Sequence, residues 1–462
     1  MLSRILIYIV VALVATTAAL ADSSTVLVFP FENLSNDRTL DWIGEGIAEL
    51  TVGRLQPEPG VYVFSREERL GAYEKLSIPE TAVLSRATSL KLGLDNGADF
   101  VITGTFSGTA DDFQIVARLI DTEAGSATVF KSAGSLSDIV PLTMTLSWNL
   151  LRKIVPGTAS PESDYTARPP TPRSAFENYV RAVLSQDLQK RIDLLQTAVR
   201  LHPQYSAALF QLGRAYHLQS DFVMSNEWLQ KLPQSSAQRR QVLFLMGLNH
   251  FYLGDYASAI TAFQQLPQMY DVLLNLGAAL ARKGDLGAAM SAWQRATNQD
   301  PLESDAFFNL GYLSYLRGDF DRAEKNLTES LKLRGRDSEA QFLLGRTYER
   351  QGRIEDSKRL IAQATRLSQR VERWLSQPLP RLERIVTSTT FRRHDEVWND
   401  HRLVRQARSQ DLPSWLELVQ ADIDSYLFGD ALRKLKDMMR VFPGSTEARS
   451  LMNDVDRLRN QR

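Results

Sequence analysis

The 462-residue sequence predicts an α/β amino-terminal domain with a mixed sheet, followed by an all-α solenoid of stacked helix pairs. Three observations predict it. Short apolar, β-branched runs alternate with helical patterns between residues 22 and 155. A Pro/Ser/Thr-rich stretch at 156–173 separates that region from the rest. Beyond it, Leu-Gly or Met-Gly pairs recur at near-constant spacing.

The first 21 residues read as a targeting segment. Arg4 supplies a positive n-region, Ile5 to Ala15 is an apolar run, and Ala19-Leu20-Ala21 places small residues where a signal peptidase needs them. The apolar stretch to Ala21 falls short of the ~20 residues that span a bilayer. A cleaved signal is the expectation, with a retained anchor or a core helix as rivals. The expected location is the periplasm or another exported compartment. The chain has no cysteine, which excludes disulfides, thiolate metal sites, thiol nucleophiles and lipidation at an amino-terminal cysteine.

Thr25 to Phe31 predicts a buried strand, and Thr39 or Asp41 caps a helix running to about Leu55. Val61 to Phe64 is a second strand. Helical patterns follow at Arg66–Leu76 and Pro79–Leu92. Three more strands are expected at Phe100–Phe106, Phe113–Asp121 and Ser126–Lys131, then a helix at about Asp138–Ile154. Gly44 and Gly46 form a lone GxG inside a helix. It lacks the other residues of a phosphate loop and reads as a place where the helix packs closely on the sheet.

The runs VLVFPFENLS, GADFVITGTFSG and FQIVARLIDTEAGS resemble a family of bacterial envelope domains. That family includes the amino-terminal domain of TolB and, more distantly, the periplasmic domain of CsgG. The resemblance implies a fold and a setting over roughly residues 24–155. It implies no activity, because none of these motifs carries chemistry.

In the remainder, Leu212-Gly213, Met246-Gly247, Leu276-Gly277, Leu310-Gly311 and Leu344-Gly345 lie 34, 30, 34 and 34 residues apart. Gly254-Asp255, Gly284-Asp285 and Gly318-Asp319 form turns in phase with them. Ala259, Ala289 and Ala323 mark close helix contact, and Phe263, Trp293 and Leu327 follow four residues later. The small residues let paired helices approach, and the bulky ones plug the groove between units. The pattern resembles the tetratricopeptide repeat, whose period is about 34 residues. The repeats are expected over 174–370, with a degenerate first pair at Ser174–Pro203. A helical region at 371–462 follows, holding another degenerate pair and a polar capping helix.

That resemblance implies a concave face lined by the first helix of each pair. Its candidate partner-binding residues are Phe210, Arg214, His217, Phe244, Phe251, Tyr252, Leu274, Arg282, Phe308, Tyr312, Tyr315, Phe342, Arg346 and Arg350. Two readings stand side by side. Either the aromatics line a groove for an extended or helical peptide with arginines at its edge, or the rings pack between helices.

The charges cancel, with 54 Lys and Arg against 54 Asp and Glu, so nothing marks nucleic acid as a partner. No hydrolase, zinc-protease or nucleotide-loop motif occurs, and neither a catalytic residue, a metal site nor a cofactor is expected. His394 and His401, near acids, would stand about 10.5 Å apart on a helix, too far to share a metal. The leading expectation is a periplasmic scaffold that holds protein or peptide partners, with possible peripheral envelope association. The rivals are a membrane-associated subunit of a secretion or assembly machine and a small-ligand-binding or degenerate enzymatic α/β domain.

Overall fold

A computed structural model describes residues 24–157, 161–162, 171–388 and 412–460, less positions 36, 59, 81, 237 and 443. The expected targeting segment, most of the Pro-rich linker and both His394 and His401 lie outside the described residues. What is described divides into two compact units, one ending at Ala215 and the other beginning at Tyr216.

The first unit is built on a six-stranded mixed sheet. In chain order its elements are β1 (Ser24–Val28), β2 (Glu32–Asn33), α1 (Trp42–Leu55), β3 (Val61–Val63), α2 (Arg66–Lys75), α3 (Arg86–Asp95), β4 (Phe100–Gly108), β5 (Phe113–Asp121), β6 (Ala127–Gly134) and α4 (Ile139–Ile154). The order across the sheet is β3-β1-β4-β5-β6, with β2 also pairing β4. β1 runs parallel to β3 and β4, whereas the β4-β5-β6 meander is antiparallel. The mixed sheet is as the sequence predicts. Two elements differ. Pro30 cuts the first apolar run, so β1 stops at Val28 and the chain rejoins the sheet as β2. Pro79 does not open a helix. Ser85 does, accepting from the Thr88 N–H as the N-cap of α3.

Two buried polar groups fix the strand order. The Asp99 carboxylate accepts from the Thr25 N–H at 2.7 Å and from its hydroxyl at 2.9 Å. That ties the start of β4 to β1. The Arg69 guanidinium donates to the Glu45 carboxylate and to the Val28 carbonyl, joining α1, α2 and β1. Gly44 and Gly46 are packing glycines: a Cβ at Gly44 would stand 2.1 Å from the Phe31 carbonyl oxygen, and one at Gly46 would stand 2.9 Å from the Phe176 ring. Phe176 lies on α5 (Arg173–Leu184), which pairs with α6 (Leu188–Leu201) and packs on α1. α7 (Ser206–Leu218) carries the chain from the first unit into the second.

The second unit stacks helices in order: α8 (Phe222–Leu229), α9 (Arg239–Tyr252), α10 (Tyr256–Gln264), α11 (Tyr270–Lys283), α12 (Leu286–Gln299), α13 (Ser304–Leu316), α14 (Phe320–Leu333), α15 (Ser338–Arg350), α16 (Ile354–Leu367) and the short α17 (Gln369–Arg373). The turns repeat one solution. Gly254, Gly284, Gly318 and Gly352 all have positive φ, between 75° and 98°. Asp255, Asp285 and Asp319 then cap the second helices by accepting from backbone N–H groups three residues on. Within each pair a glycine on the first helix meets a large side chain on the second: Gly247 with Phe263, Gly277 with Trp293, Gly311 with Leu327 and Gly345 with Ile361. Ala259, Ala289 and Ala323 are fully buried at the same crossings.

The chain then leaves regular structure over residues 377–388. α18 (Leu412–Asp424), α19 (Phe428–Val441) and α20 (Thr446–Asn460) follow. They do not extend the stack beyond α16. α19 and α20 pack against α14, and Arg433 pairs with Asp300 at 3.0 Å and Glu303 at 3.3 Å.

Candidate peptide-binding groove

The first helices α11, α13 and α15 present a row of polar and apolar side chains, and residues 379–386 of the same chain lie along it. Two asparagines hold the backbone of this strap. The Asn309 side chain donates to the Arg384 carbonyl at 2.9 Å and accepts from the Arg384 N–H at 2.7 Å. Asn275, one 34-residue period earlier, does the same to Val386, donating at 2.9 Å and accepting at 2.7 Å. Residues two apart in an extended chain present their N–H and C=O to the same edge, so each amide stands in for a neighbouring strand. The Tyr312 hydroxyl donates to the Pro380 carbonyl at 3.4 Å. The strap therefore runs from the α13–α15 end toward α11, against the order of the helix pairs.

Side chains of the strap fill distinct seats. Leu382 is buried in the cluster of Phe308, Tyr312 and Leu344. Ile385 and Val386 pack against the buried clusters that hold Leu248, Leu274 and Ala278. Glu383 pairs with Arg282 at 3.0 Å. The Arg384 guanidinium lies 3.6 Å from the centre of the Phe308 ring. It also reaches three carboxylates: Asp305 at 3.0 Å, Asp337 at 2.8 Å and Glu339 at 3.4 Å. Burial tends to raise the Asp337 carboxyl, but the Arg384 charge and hydrogen bond outweigh it and hold Asp337 below the ordinary value. Asp337 also caps α15 by accepting from the Ala340 N–H, so the acidic seat is fixed to the helix.

The structure sorts the candidate face into several environments. Arg282, Phe308 and Tyr312 contact the strap, Phe251 packs against the same buried clusters as Ile385 and Val386, and Tyr315 packs at the edge of the Leu382 cluster. Leu274 is fully buried, and its carbonyl accepts from the Trp293 indole. Phe244 is buried edge-on to Phe263, and Phe342 is buried edge-on to Trp374. Phe210 is buried beside Arg214, and Arg214 pairs with Glu67 at 2.8 Å. His217 bonds the Asn249 amide through Nδ1 at 2.6 Å. Tyr252 is 41% exposed and stacks on Phe222. Arg346 pairs with Glu349, and Arg350 lies over Phe320.

Sequence reasoning missed Asn275, Asn309 and the strap. A signal was present. Asparagine disfavours helix interiors, yet it recurs one period apart immediately before Leu276-Gly277 and Leu310-Gly311. Pro378 also lies just ahead of the strap and Pro380 within it, and a residue before proline is biased to extended backbone, which is the conformation a groove ligand needs. Among the described residues, no group of three or more His, Cys, Asp or Glu is arranged to hold a metal ion. No described helix is long and apolar enough to cross a membrane.

Comparison with known proteins identifies the repeats of the second unit. Family models described as tetratricopeptide repeat match residues 244–301, 274–324 and 315–376. Residues 244–376 are tetratricopeptide repeats. The chain is 21% identical over 256 residues to the TPR repeat-containing protein YpiA of Bacillus subtilis (strain 168). That match covers 53% of this chain and 59% of the relative, so the chain spans little more than half of that protein's length. Among solved structures, it is similar to MamA protein, at 18% identity and a TM-score of 0.33 over 38% of this chain and 100% of that one. PilW, a widely conserved type IV pilus biogenesis factor, matches at 16% identity and 0.38 over 44% and 99%. YrrB, a TPR protein with an unusual peptide-binding site, matches at 14% identity and 0.32 over 38% and 92%.

Proposed function

We propose that this protein is an exported scaffold that holds protein partners as extended peptides in the groove of its tetratricopeptide repeats. The observation that carries the reading is the double clasp of Asn275 and Asn309 on backbone N–H and C=O groups of residues two apart. Such a clasp grips any extended chain and leaves selection to the side-chain seats beside it. The targeting pattern of residues 1–21 supports export, and the resemblance of residues 24–155 to bacterial envelope domains supports docking of the first unit at the envelope.

Site-specific photocrosslinking in the native envelope tests the reading. A crosslinker at Tyr315, at the groove edge, is expected to capture a discrete set of chains, and Asn275→Ala with Asn309→Ala to lose them. Capture that is unchanged by the double substitution refutes the groove. Release of the protein by osmotic shock is the expected fractionation result, and recovery only with the membrane pellet would instead favour a membrane-associated assembly subunit.

A further inference from the structure

We propose that residues 379–386 are a resident pseudo-ligand that closes the groove, and that the client it excludes is an extended peptide with an arginine set between aliphatic residues. The proposal rests on the peptide-holding function of the groove and adds its regulation and its specificity.

The specificity follows from the seats. Asp305, Asp337 and Glu339 converge on one guanidinium, and Arg334 is a second partner of Asp305 at 2.9 Å. Arg336 and Arg370 line the same pocket, but Arg384 is the cation that spans Asp305, Asp337 and Glu339 together, so with the strap out the seat favours a guanidinium in its place. The flat ring of Phe308 beneath it favours a planar guanidinium over an ammonium, because only the former stacks while its fork spans two carboxylates. The seats of Leu382, Ile385 and Val386 on either side are apolar. The pattern read is Leu-x-Arg-Ile-Val, as the strap itself spells from Leu382 to Val386.

The regulation follows from how the strap is held. It belongs to no helix or strand, and the backbone bonds that hold it in the groove come from the side chains of Asn275, Asn309 and Tyr312. Its flanks, Ser376 to Pro378 and Thr387 to Ser388, are exposed. It can leave without breaking a hydrogen bond of any helix or strand. Tethered this closely, it acts at an effective concentration of about 1 mM, so a client at micromolar concentration must displace a competitor present in large excess.

A fluorescent peptide of residues 379–388 is the probe, titrated against the full chain. Leu382→Ala with Arg384→Ala opens the groove and is expected to bind the peptide at least tenfold tighter than the unaltered chain. Replacing Arg384 of the peptide by lysine, with Arg381 kept, is expected to cost at least tenfold. The absence of native cysteine supplies a control that does not depend on weakening the strap. Arg282→Cys with Glu383→Cys, bridged by a short bis-maleimide, pins the strap to α11. The bridged protein should lose peptide binding that the same unbridged variant shows.

Equal binding by open, unaltered and bridged chains overturns the gate. Failure of the open chain to bind this peptide, while the Tyr315 crosslinker still captures envelope partners, overturns the arginine specificity and leaves the groove's function standing. Failure of both removes the function as well. A concentration-dependent dimer of the unaltered chain, abolished by Arg384→Ala, would seat a second copy's strap in the groove and overturn the client.

Discussion

Gly277→Ala offers a sharp test of how the repeats are held together. A Cβ at this position would lie 2.4 Å from the Trp293 Nε1, 2.6 Å from Cδ1 and 2.8 Å from Cε2. Comfortable carbon contacts are about 3.5–4.0 Å, so the indole must move by roughly 1 Å. Trp293 is fully buried and its N–H donates to the Leu274 carbonyl at 3.0 Å, so it has nowhere to go without losing that bond. Overpacking costs about 1–3 kcal/mol and an orphaned buried N–H about 1–3 more, while alanine's better helix propensity returns about 1 kcal/mol. The net expectation is a loss of about 3 kcal/mol, felt mainly in α11 and α12 because solenoid units answer chiefly to their neighbours.

A chain with two compact units does not unfold as one, so a single melting midpoint is the wrong readout. Hydrogen exchange resolved by segment should show faster opening of α11 and α12 in Gly277→Ala, with the first unit unaffected. Gly53→Ala is the control. Gly53 lies in α1 with nothing within 4 Å of its would-be Cβ, so it should stabilise its helix by about 0.5–1 kcal/mol. Adding Trp293→Phe to Gly277→Ala should recover part of the loss, giving a coupling of about 1 kcal/mol or more. If Gly277→Ala instead stabilises as Gly53→Ala does, the glycine does not set the helix approach and the reasoning fails.

Three further expectations concern the first unit. Gly104→Ala places a Cβ 2.2 Å from Cε1 of the Phe31 ring and 2.5 Å from the Val116 carbonyl oxygen, and backbone cannot yield there; circular dichroism should show loss of the β4-β5 sheet signal, and a native spectrum would contradict the packing. Asp99→Ala strips two hydrogen bonds from buried Thr25 and should cost about 2–4 kcal/mol by denaturant titration of this unit, whereas a cost near zero would mean the β1-β4 tie is dispensable. Burial, with the Glu45 charge second, pushes the Glu49 carboxyl up to about 7 from 4.5. The folded state then binds the extra proton, so stability should fall as pH rises from about 4.5 to about 7 and stay flat above. The fall is at most about 3 kcal/mol, and Glu49→Gln should flatten the profile.

The repeat architecture was open to reading because its physics is periodic. Gly254-Asp255, Gly284-Asp285 and Gly318-Asp319 each solve the same turn, and each supplies both a positive φ and a helix cap. Ala289 and Trp293 announce a close crossing by size alone. The mixed sheet was legible for a related reason, since β-branched runs such as Phe113–Asp121 alternate between buried and less buried faces over much of their length. The groove was harder. An aromatic at helical spacing has the same signature whether it is core or contact, and Phe244 and Phe342 turned out to be packed against other rings, whereas Phe308 lies beneath Arg384. The strap was hidden because its partners lie as far as 111 residues away, and no local pattern encodes a hydrogen bond of that reach.

The placement of the two asparagines explains why the strap sits where it does. At the same position of the other units stand Gln211, Leu245 and Leu343. A leucine cannot both donate to and accept from a backbone, so Leu245 and Leu343 can offer a passing chain only apolar contact. The clasp is therefore confined to the middle of the array, where α11 and α13 stand. With the strap in place Asn275 and Asn309 are almost fully buried, and a covering chain that left either amide unbonded would be destabilised by about 1–3 kcal/mol. Occupation by the strap satisfies all four bonds, and a client that displaces it must satisfy them again. The same two residues thus penalise a covering chain that fails to bond them and accept any extended backbone that does, which leaves the acidic seat around Arg384 to decide which peptide wins.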